Sequence, residues 1–459
     1  MTIDGNARER SAPPLQVHAT NPRYFADPSG RAVLLTGSHT WLNLQDGGPT
    51  APPPAFDYDL WLRWLDQKGH RFFRLWCWEQ SRWVAHQPGD YWFDPNRYER
   101  SGTQTGGDGL PRFDVTRFNE RYFDRMRERV EAAGRLGIYT AVMLFHGWSI
   151  EPKQWYLSPG MNPWRSHPLN RDNNVNGIDG DPGQEDHGLL THTLAIPEVV
   201  EIQRAYVRKV LETVGDLDNV LYEICNEDAP TEANSTWQDD MVRFIQEAEQ
   251  AVGRRHPVLR TVQWPAPESL ESLFQSPAEA ISPGSPAQHG TGMEDYRNDP
   301  PLADGRRVII CDTDHLWGIG GDAGWPWRAL MRGMNPIFMD PWEGDFVVHD
   351  PFDFAARDAM GVAGALSDRF DLGRFVPSLD VASTRYALVD EQSGTILVYQ
   401  PFNEHFTVSL GEPAREHTIE WIHPTTGLGQ QGGTMSGGLI RPLPPFRGGG
   451  VAVLAPRQV

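Results

Sequence analysis

Asn226-Glu227 closes the short apolar run Val220-Leu-Tyr-Glu-Ile-Cys225. A run of this kind belongs in a buried strand. An amide and a carboxylate therefore stand at its tip, where a barrel or sheet holds side chains rigidly at its mouth. Asp312 and Asp314 follow a second such run, Val308-Ile-Ile-Cys311, and Asp340 follows a third, Pro336-Ile-Phe-Met339. Two carboxyl groups flanking an anomeric carbon, one protonated and one ionised, are what cleavage of a glycosidic bond requires. Rings crowd the same positions: His39 and Trp41, Trp76 and Trp78, His146 and Trp148, Trp264, His315 and Trp317 each lie at or just past the end of a strand-like run. A sugar has an apolar C–H face that suits an indole and a polar rim that suits carboxylate, amide, imidazole and guanidinium groups. Arg74, at the end of another run, completes that set.

Each residue also has a plainer role open to it. A Trp beside a strand is more often core than sugar platform. Asp312 can cap the turn that follows it or pair with Arg74. Glu223, inside its strand, reads as a packed or ion-paired residue. Glu227 is the hardest to explain structurally.

Positioning these tips requires strands that alternate with helices. Strand-like runs are expected at Arg31–Gly37, Arg71–Trp76, Ile138–Phe145, Val220–Cys225, Pro257–Val262, Ala280–Ser282, Val308–Cys311 and Pro336–Met339. Helical spacing is expected at Asp57–Lys68, Thr116–Leu136, Pro197–Val214, Ser235–Val252 with Ser235 as cap, Glu268–Phe274, Trp327–Arg332 and Asp353–Ser367. This alternation predicts a (β/α)8 TIM barrel over residues 1–372, including an N-terminal extension. From about Val376 the pattern becomes short strands parted by Gly, Pro and Asn: Tyr386–Val389, Thr395–Tyr399, Phe406–Leu410, Thr418–Ile422 and Val451–Leu454. They predict a small all-β sandwich domain, residues 373–459.

Composition narrows the partners. The 459 residues are 39% hydrophobic, with 17 Trp, which is ample for a core, and the net charge is -20. There is no basic face for nucleic acid and no membrane-length apolar run, whereas a neutral carbohydrate is not repelled. Three cysteines, Cys77, Cys225 and Cys311, read as reduced core thiols. The polar stretch from Met1 to Pro14 has no signal-like apolar segment, so a cytoplasmic enzyme is expected, or a secreted one if a signal was removed. No cofactor is expected. Asp172–Asp181 resembles half of a calcium loop, but Gly183 stands where its closing glutamate should be. His187 and His192 make no zinc signature. Oligomeric state is not legible.

The Asn-Glu tip with a second carboxylate on the seventh strand resembles glycoside hydrolase clan A. More closely, Leu34–Trp41, Tyr222–Glu227 and Asp312–Trp317 resemble the cellulase-like, apiosidase-related hydrolases, and Tyr386–Leu454 is similar to the C-terminal β-domain of that group, labelled collagen-binding. The resemblance implies Glu227 as general acid/base, Asn226 on the hydroxyl beside the anomeric carbon, Arg74 keeping the nucleophile ionised, and Asp314 as that nucleophile, with Asp312 the alternative. It also implies retention of configuration. Clan members carry glutamate where this chain has aspartate, which leaves inversion through an intervening water open. Substrate contacts are expected from Asn226, Arg74, His39, Trp41, Trp78, His146, Trp148, Trp264, His315, Trp317 and Asp340, with Trp76 helping to shape the subsites. The rivals are a non-catalytic carbohydrate-binding barrel and a metal-dependent hydrolase using His39, His146, Asp312 and Asp314. The long loops Ser149–Thr193 and Pro283–Arg306 would favour a closed pocket and exo action.

Overall fold

A computed structural model describes residues 11–84, 89–153, 162–265, 267, 269–284, 295–342, 355–411 and 416–457. Eight parallel strands form its central sheet: β1 Gly37–His39, β2 Phe72–Leu75, β3 Tyr139–His146, β4 Val220–Asn226, β5 Val258–Thr261, β6 Ala280–Ser282, β7 Val308–Asp312 and β8 Asn335–Met339. From β2 to β8 each pairs with its neighbour in sequence, and β8 pairs with β1. The ring closes where the Arg71 N–H donates to the Thr36 carbonyl at 2.8 Å. Glycine is needed at that seam, because a Cβ on Gly37 would stand 2.2 Å from the Phe72 carbonyl oxygen. Helices α1 Tyr58–Gln67, α2 Glu120–Arg135, α3 Pro197–Val214, α4 Glu232–Ala251, α5 Glu271–Gln275, α6 Trp325–Met331 and α7 Ala356–Arg369 lie between the strands in sequence. The fold is a (β/α)8 TIM barrel. Its strands are buried along their whole length, which is why they read as continuous apolar runs.

The expected elements differ from the observed ones in instructive places. The run Arg31–Gly37 is split. Ala32–Val33 joins a three-stranded antiparallel sheet with Gln16–Val17 and Phe25–Ala26, and the barrel strand starts at Gly37. The expected helix Thr116–Leu136 begins only at Glu120, because Tyr98–Thr105 and Pro111–Phe118 form a hairpin in which Phe113 and Val115 are buried in alternation. Ser235 does not cap α4; Thr231 does, accepting from the Asn234 N–H at 3.2 Å. The Ser235 hydroxyl is taken up by Gln263 Oε1 at 3.1 Å and by Arg260 at 2.8 Å. The expected helix starts at Glu268 and Asp353 lie outside the described residues, as do stretches of both long loops.

Beyond the barrel, β9 Val376–Ser378, β10 Ala387–Asp390, β11 Thr395–Gln400, β13 His417–Ile422, β14 Gly429–Met435 and β16 Gly450–Pro456 form an antiparallel sheet in the order β9-β10-β11-β16-β13-β14. β12 Val408–Ser409 and β15 Leu439–Ile440 form a small ribbon. One face of the large sheet shares a core with the ribbon through Val408, Ile419, Trp421 and Ile440. The other face, through Leu388, Leu397 and Val453, packs on Trp327 and Leu330 of α6 and Ala363 and Leu366 of α7. Arg369 on α7 pairs with Glu420 at 2.6 Å across this contact. Among the described residues no helix is long and apolar enough to cross a membrane.

Candidate active site

All eight strands run the same way, so their C-terminal ends meet on one face. The register sets His146 beside Asn226 and Asp312 beside Ile337. Arg74 is the hub. Its guanidinium is 1% exposed and donates to Glu223 at 2.8 and 2.5 Å, to Asp312 at 2.9 Å, to Asp314 at 3.2 Å and to Asn226 Oδ1. Burial works against its charge, but Glu223 first, then Asp312 and Asp314, hold it firmly protonated. Glu223 is thus the ion-paired barrel residue that its place inside the strand implied.

Asp312 fills both structural roles open to it. One oxygen caps the turn after β7 by accepting from the Asp314 N–H at 3.1 Å, and the other takes Arg74. His39 Nε2 faces both oxygens at 3.1 and 2.9 Å and must donate, since a carboxylate only accepts. Burial alone would raise the Asp312 pKa, but His39 and then Arg74 outweigh it and hold the group well below the usual carboxylate range. With both oxygens engaged and no exposure, Asp312 has no edge left for a substrate.

Asp314, two residues on, keeps 11% of its side chain exposed. A carboxylate oxygen of Asp314, one of Glu227 and a ring nitrogen of His315 all lie within 4.8 Å of one another. Inverting glycosidases hold their carboxyl groups about 6.5–9.5 Å apart and retaining ones about 5–5.5 Å apart. The nearest oxygens of the two groups approach more closely than the wider of these ranges. Glu227 is buried, its backbone is left-handed at φ +45°, and its Oε2 accepts the Trp148 indole N–H at 2.6 Å. Burial first, and the Asp314 charge second, push its pKa well above that of an ordinary glutamate. Burial also raises Asp314, to about 6, against the pull of Arg74.

These upward shifts give stability a definite pH dependence. A carboxyl whose folded pKa exceeds its unfolded value favours the fold at low pH, and that contribution is lost as pH rises through the folded value. For Asp314 the window runs from its model-peptide value of 3.8 to about 6. Asp314→Asn should therefore unfold at a higher temperature than wild type at pH 8, by the equivalent of about 1–3 kcal/mol, with little difference at pH 4. Thermal melts at the two pH values read this directly.

Asn226 is fixed from both sides. Its Oδ1 accepts from Arg74 and from His315 Nε2 at 3.0 Å, which leaves its buried Nδ2 without a partner among the described residues. His315 Nδ1 lies 2.7 Å from the Ser282 hydroxyl and accepts from it in the neutral ring, so both nitrogens are used. Burial first, and Arg74 second, keep its pKa down at about 3.

The expected aromatic residues divide. Trp148 reaches Glu227 and packs at 5.2 Å on the half-buried Trp264. Trp76 lies parallel to His39 at 5.6 Å and edge-on to His146 at 5.1 Å. The indole nitrogen of Trp76, His39 Nδ1 and His146 Nε2 are buried and lack partners among the described residues. Trp78 is 1% exposed, stacks on Phe93 at 4.9 Å and donates to the Trp41 carbonyl at 3.0 Å, while Trp41 itself is 5% exposed. Trp317 is half-buried, with Trp325 at 5.4 Å and the Arg297 guanidinium 5.0 Å from its ring. Asp340 pairs with Arg357 at 2.9 and 2.6 Å.

Comparison with known proteins adds the fold. No family model matches the sequence, and no curated protein matches it. Two solved structures superpose over nearly the whole chain. One, described as a glycoside hydrolase, has a TM-score of 0.62 at 10% identity and covers 97% of this chain and 97% of its own. The other, a glycoside hydrolase family 5 protein from Bacteroides vulgatus, has a TM-score of 0.62 at 12% identity and covers 96% of this chain and 93% of its own. What is shared is the fold. It extends through the β-domain as well as the barrel.

Trp148 offers a local test of this geometry. Trp148→Phe keeps the ring contact and deletes the N–H that lowers the Glu227 pKa. Glu227 should then hold its proton to higher pH. A bond to an ionisable group is worth about 1.5–3 kcal/mol, so the variant should lose about tenfold or more in kcat/KM on any substrate that Glu227 serves. Steady-state kinetics across pH would detect both changes.

Proposed function

We propose that the chain is a retaining glycoside hydrolase that cleaves O-glycosidic bonds of a neutral oligo- or polysaccharide, with Glu227 as acid/base and Asp314 as nucleophile. The observation that carries this reading is the approach of the two carboxyl oxygens to within 4.8 Å, at strand tips 87 residues apart in sequence. Asp312, with no exposure and both oxygens engaged, is assigned to positioning rather than attack. The family 5 likeness supports the reading through its fold. The finer resemblance, to the cellulase-like, apiosidase-related group, is proposed on the motifs alone.

In the first step an Asp314 oxygen bonds to the anomeric carbon. The bond from that carbon to the leaving oxygen breaks, and the Glu227 proton passes to that oxygen. In the second, Glu227 takes a proton from water, the water oxygen bonds to the anomeric carbon, and Asp314 leaves with its original charge. Asn226 Nδ2, His146 Nε2, His39 Nδ1 and the Trp76 indole nitrogen, buried and without partners among the described residues, would meet sugar hydroxyls where a substrate displaces their cover. Three carboxylates, Glu223, Asp312 and Asp314, gathered on the Arg74 guanidinium disfavour an anionic sugar.

The reading is tested by screening aryl glycosides and plant and microbial polysaccharides, with NMR following the anomeric configuration of the first-formed product. Retention is expected, and an inverted product would overturn the nucleophile assignment. The metal-dependent rival predicts loss of activity in chelator. Of the residues that rival would use, Asp312 has both oxygens engaged by His39, Arg74 and the Asp314 N–H, so dialysis against EDTA should leave the rate unchanged within about twofold.

A further inference from the structure

Glu227 carries a backbone conformation that its residue type disfavours. A non-glycine residue held in the left-handed region costs of order 1–3 kcal/mol and persists only where its surroundings over-determine it. At φ +45° Glu227 is such a residue. The next residue, Asp228, is wholly buried. One of its oxygens accepts from the Ala229 N–H and faces His192 Nδ1, both at 2.9 Å, while Gln238 donates to the other at 3.3 Å. Its carbonyl accepts from the Trp264 N–H at 2.8 Å.

His192 comes from the long segment between β3 and α3. It lies flat on Trp237 at 4.4 Å and 4°. Its other nitrogen stands 3.5 Å from Glu79, just past β2. Glu79 also accepts the His146 N–H at 2.9 Å, at the end of β3. An imidazole between two buried carboxylates is favoured in its charged form: burial lowers its pKa, but Asp228 and then Glu79 outweigh it and raise the group to about 9. On the far side β3 abuts Glu227 itself, since a Cβ on Gly147 would stand 2.2 Å from the Glu227 carbonyl oxygen. Connecting segments of the barrel thus converge on Glu227 and Asp228: Gly147 on the Glu227 carbonyl, Trp264 on the Asp228 carbonyl, and His192, backed by Glu79, on the Asp228 side chain.

We propose that the buried chain Glu79–His192–Asp228 is a positioning device, which grips the peptide after the acid/base and holds Glu227 in its left-handed conformation at bonding distance from the leaving oxygen. None of the three touches the reacting atoms; they act through Glu227. The inference rests on the hydrolase reading above.

The test compares dinitrophenyl and phenyl glycosides of whichever sugar the wild-type enzyme cleaves. A dinitrophenolate departs without a proton, whereas a phenolate needs Glu227. Misplacing a catalytic group by about 1 Å costs about a hundredfold. Asp228→Asn, nearly isosteric, should therefore lose about 10–100-fold in kcat/KM on the phenyl glycoside and less than about threefold on the dinitrophenyl glycoside. Added to Glu227→Gln, it should cost nothing further. His192→Gln gives the same readout if Asp228→Asn fails to fold. Equal losses on both substrates, additive losses in the double variant, or no loss would each overturn the device while leaving the hydrolase reading intact. A wild type inert on every glycoside would instead end the hydrolase reading, and this inference with it.

Discussion

Glu227→Gln is expected to lower kcat/KM on a phenyl glycoside by about 10²–10⁴-fold, and on a dinitrophenyl glycoside by far less. The amide keeps the shape of the side chain and the Trp148 contact but has no proton to give. The pH profile should change with it. On the proposed assignment the active form has Glu227 protonated and Asp314 ionised, so wild-type activity should fall as pH drops through the Asp314 value of about 6 and again as pH rises through the higher value of Glu227. The two carboxyls lie close enough that their protons leave in two steps belonging to the pair. Glu227→Gln removes the alkaline limb. It also removes the charge that raises Asp314 when Glu227 ionises, so the acid limb should stay at or below its wild-type position. Kinetics from pH 4 to 9 would show both: the phenyl glycoside, which needs the Glu227 proton, reads the alkaline limb, and the dinitrophenyl glycoside, on which the variant retains turnover, reads the acid limb.

Arg74→Met is expected to be the most damaging single change. The guanidinium neutralises Glu223, Asp312 and Asp314 at once, and Glu223 and Asp312 have no exposure through which water can compensate. Removing one partner of a buried ion pair typically costs about 3–5 kcal/mol, because the other charge is left uncompensated. A loss of that size should appear as a lower urea midpoint with an unchanged denaturant slope. It should grow with pH above about 4, where the stranded carboxyls ionise in the unfolded chain and resist ionising in the folded one. Whatever variant folds should be nearly inactive. Without Arg74 the Asp314 pKa rises, the nucleophile is protonated at neutral pH, and the acid limb of the profile moves upward. Asn226 also loses one of the two donors that orient its amide.

The tips of the barrel strands were legible because each parallel strand is buried on both faces, so its sequence is one apolar run that the first polar residue terminates. Asn226, Glu227, Asp312 and Asp314 announce themselves in that way. Strand β1 was misjudged by several residues because the apolar stretch before it serves a different small sheet. β14, Gly-Gln-Gln-Gly-Gly-Thr-Met, carries no alternation at all; its backbone pairing along β13 makes it a strand. The aromatic residues show the limit of tip counting. Trp76 and Trp78 are two residues apart on one connection and both pack on His146, yet Trp78 also stacks on Phe93 and donates to the Trp41 carbonyl while Trp76 lies parallel to His39. His192 was invisible as a partner of the acid/base, since nothing local marks it. Its carboxylate lies 36 residues away, and only the closed ring of strands brings them together. The plainest sign of that network was in view without a reason to use it: a second carboxyl, Asp228, directly after Glu227.

Asp314, paired with Glu227 across the mouth of the barrel, should form a bond to the sugar. Incubating the protein with a dinitrophenyl glycoside fluorinated beside the anomeric carbon, which slows breakdown of a glycosyl-enzyme, and locating the label by peptide mass spectrometry would show it. The expected result is a burst of one dinitrophenolate per chain and a sugar attached to Asp314. A label on Asp312 or Glu227, or steady turnover with no label on any carboxylate, would contradict it.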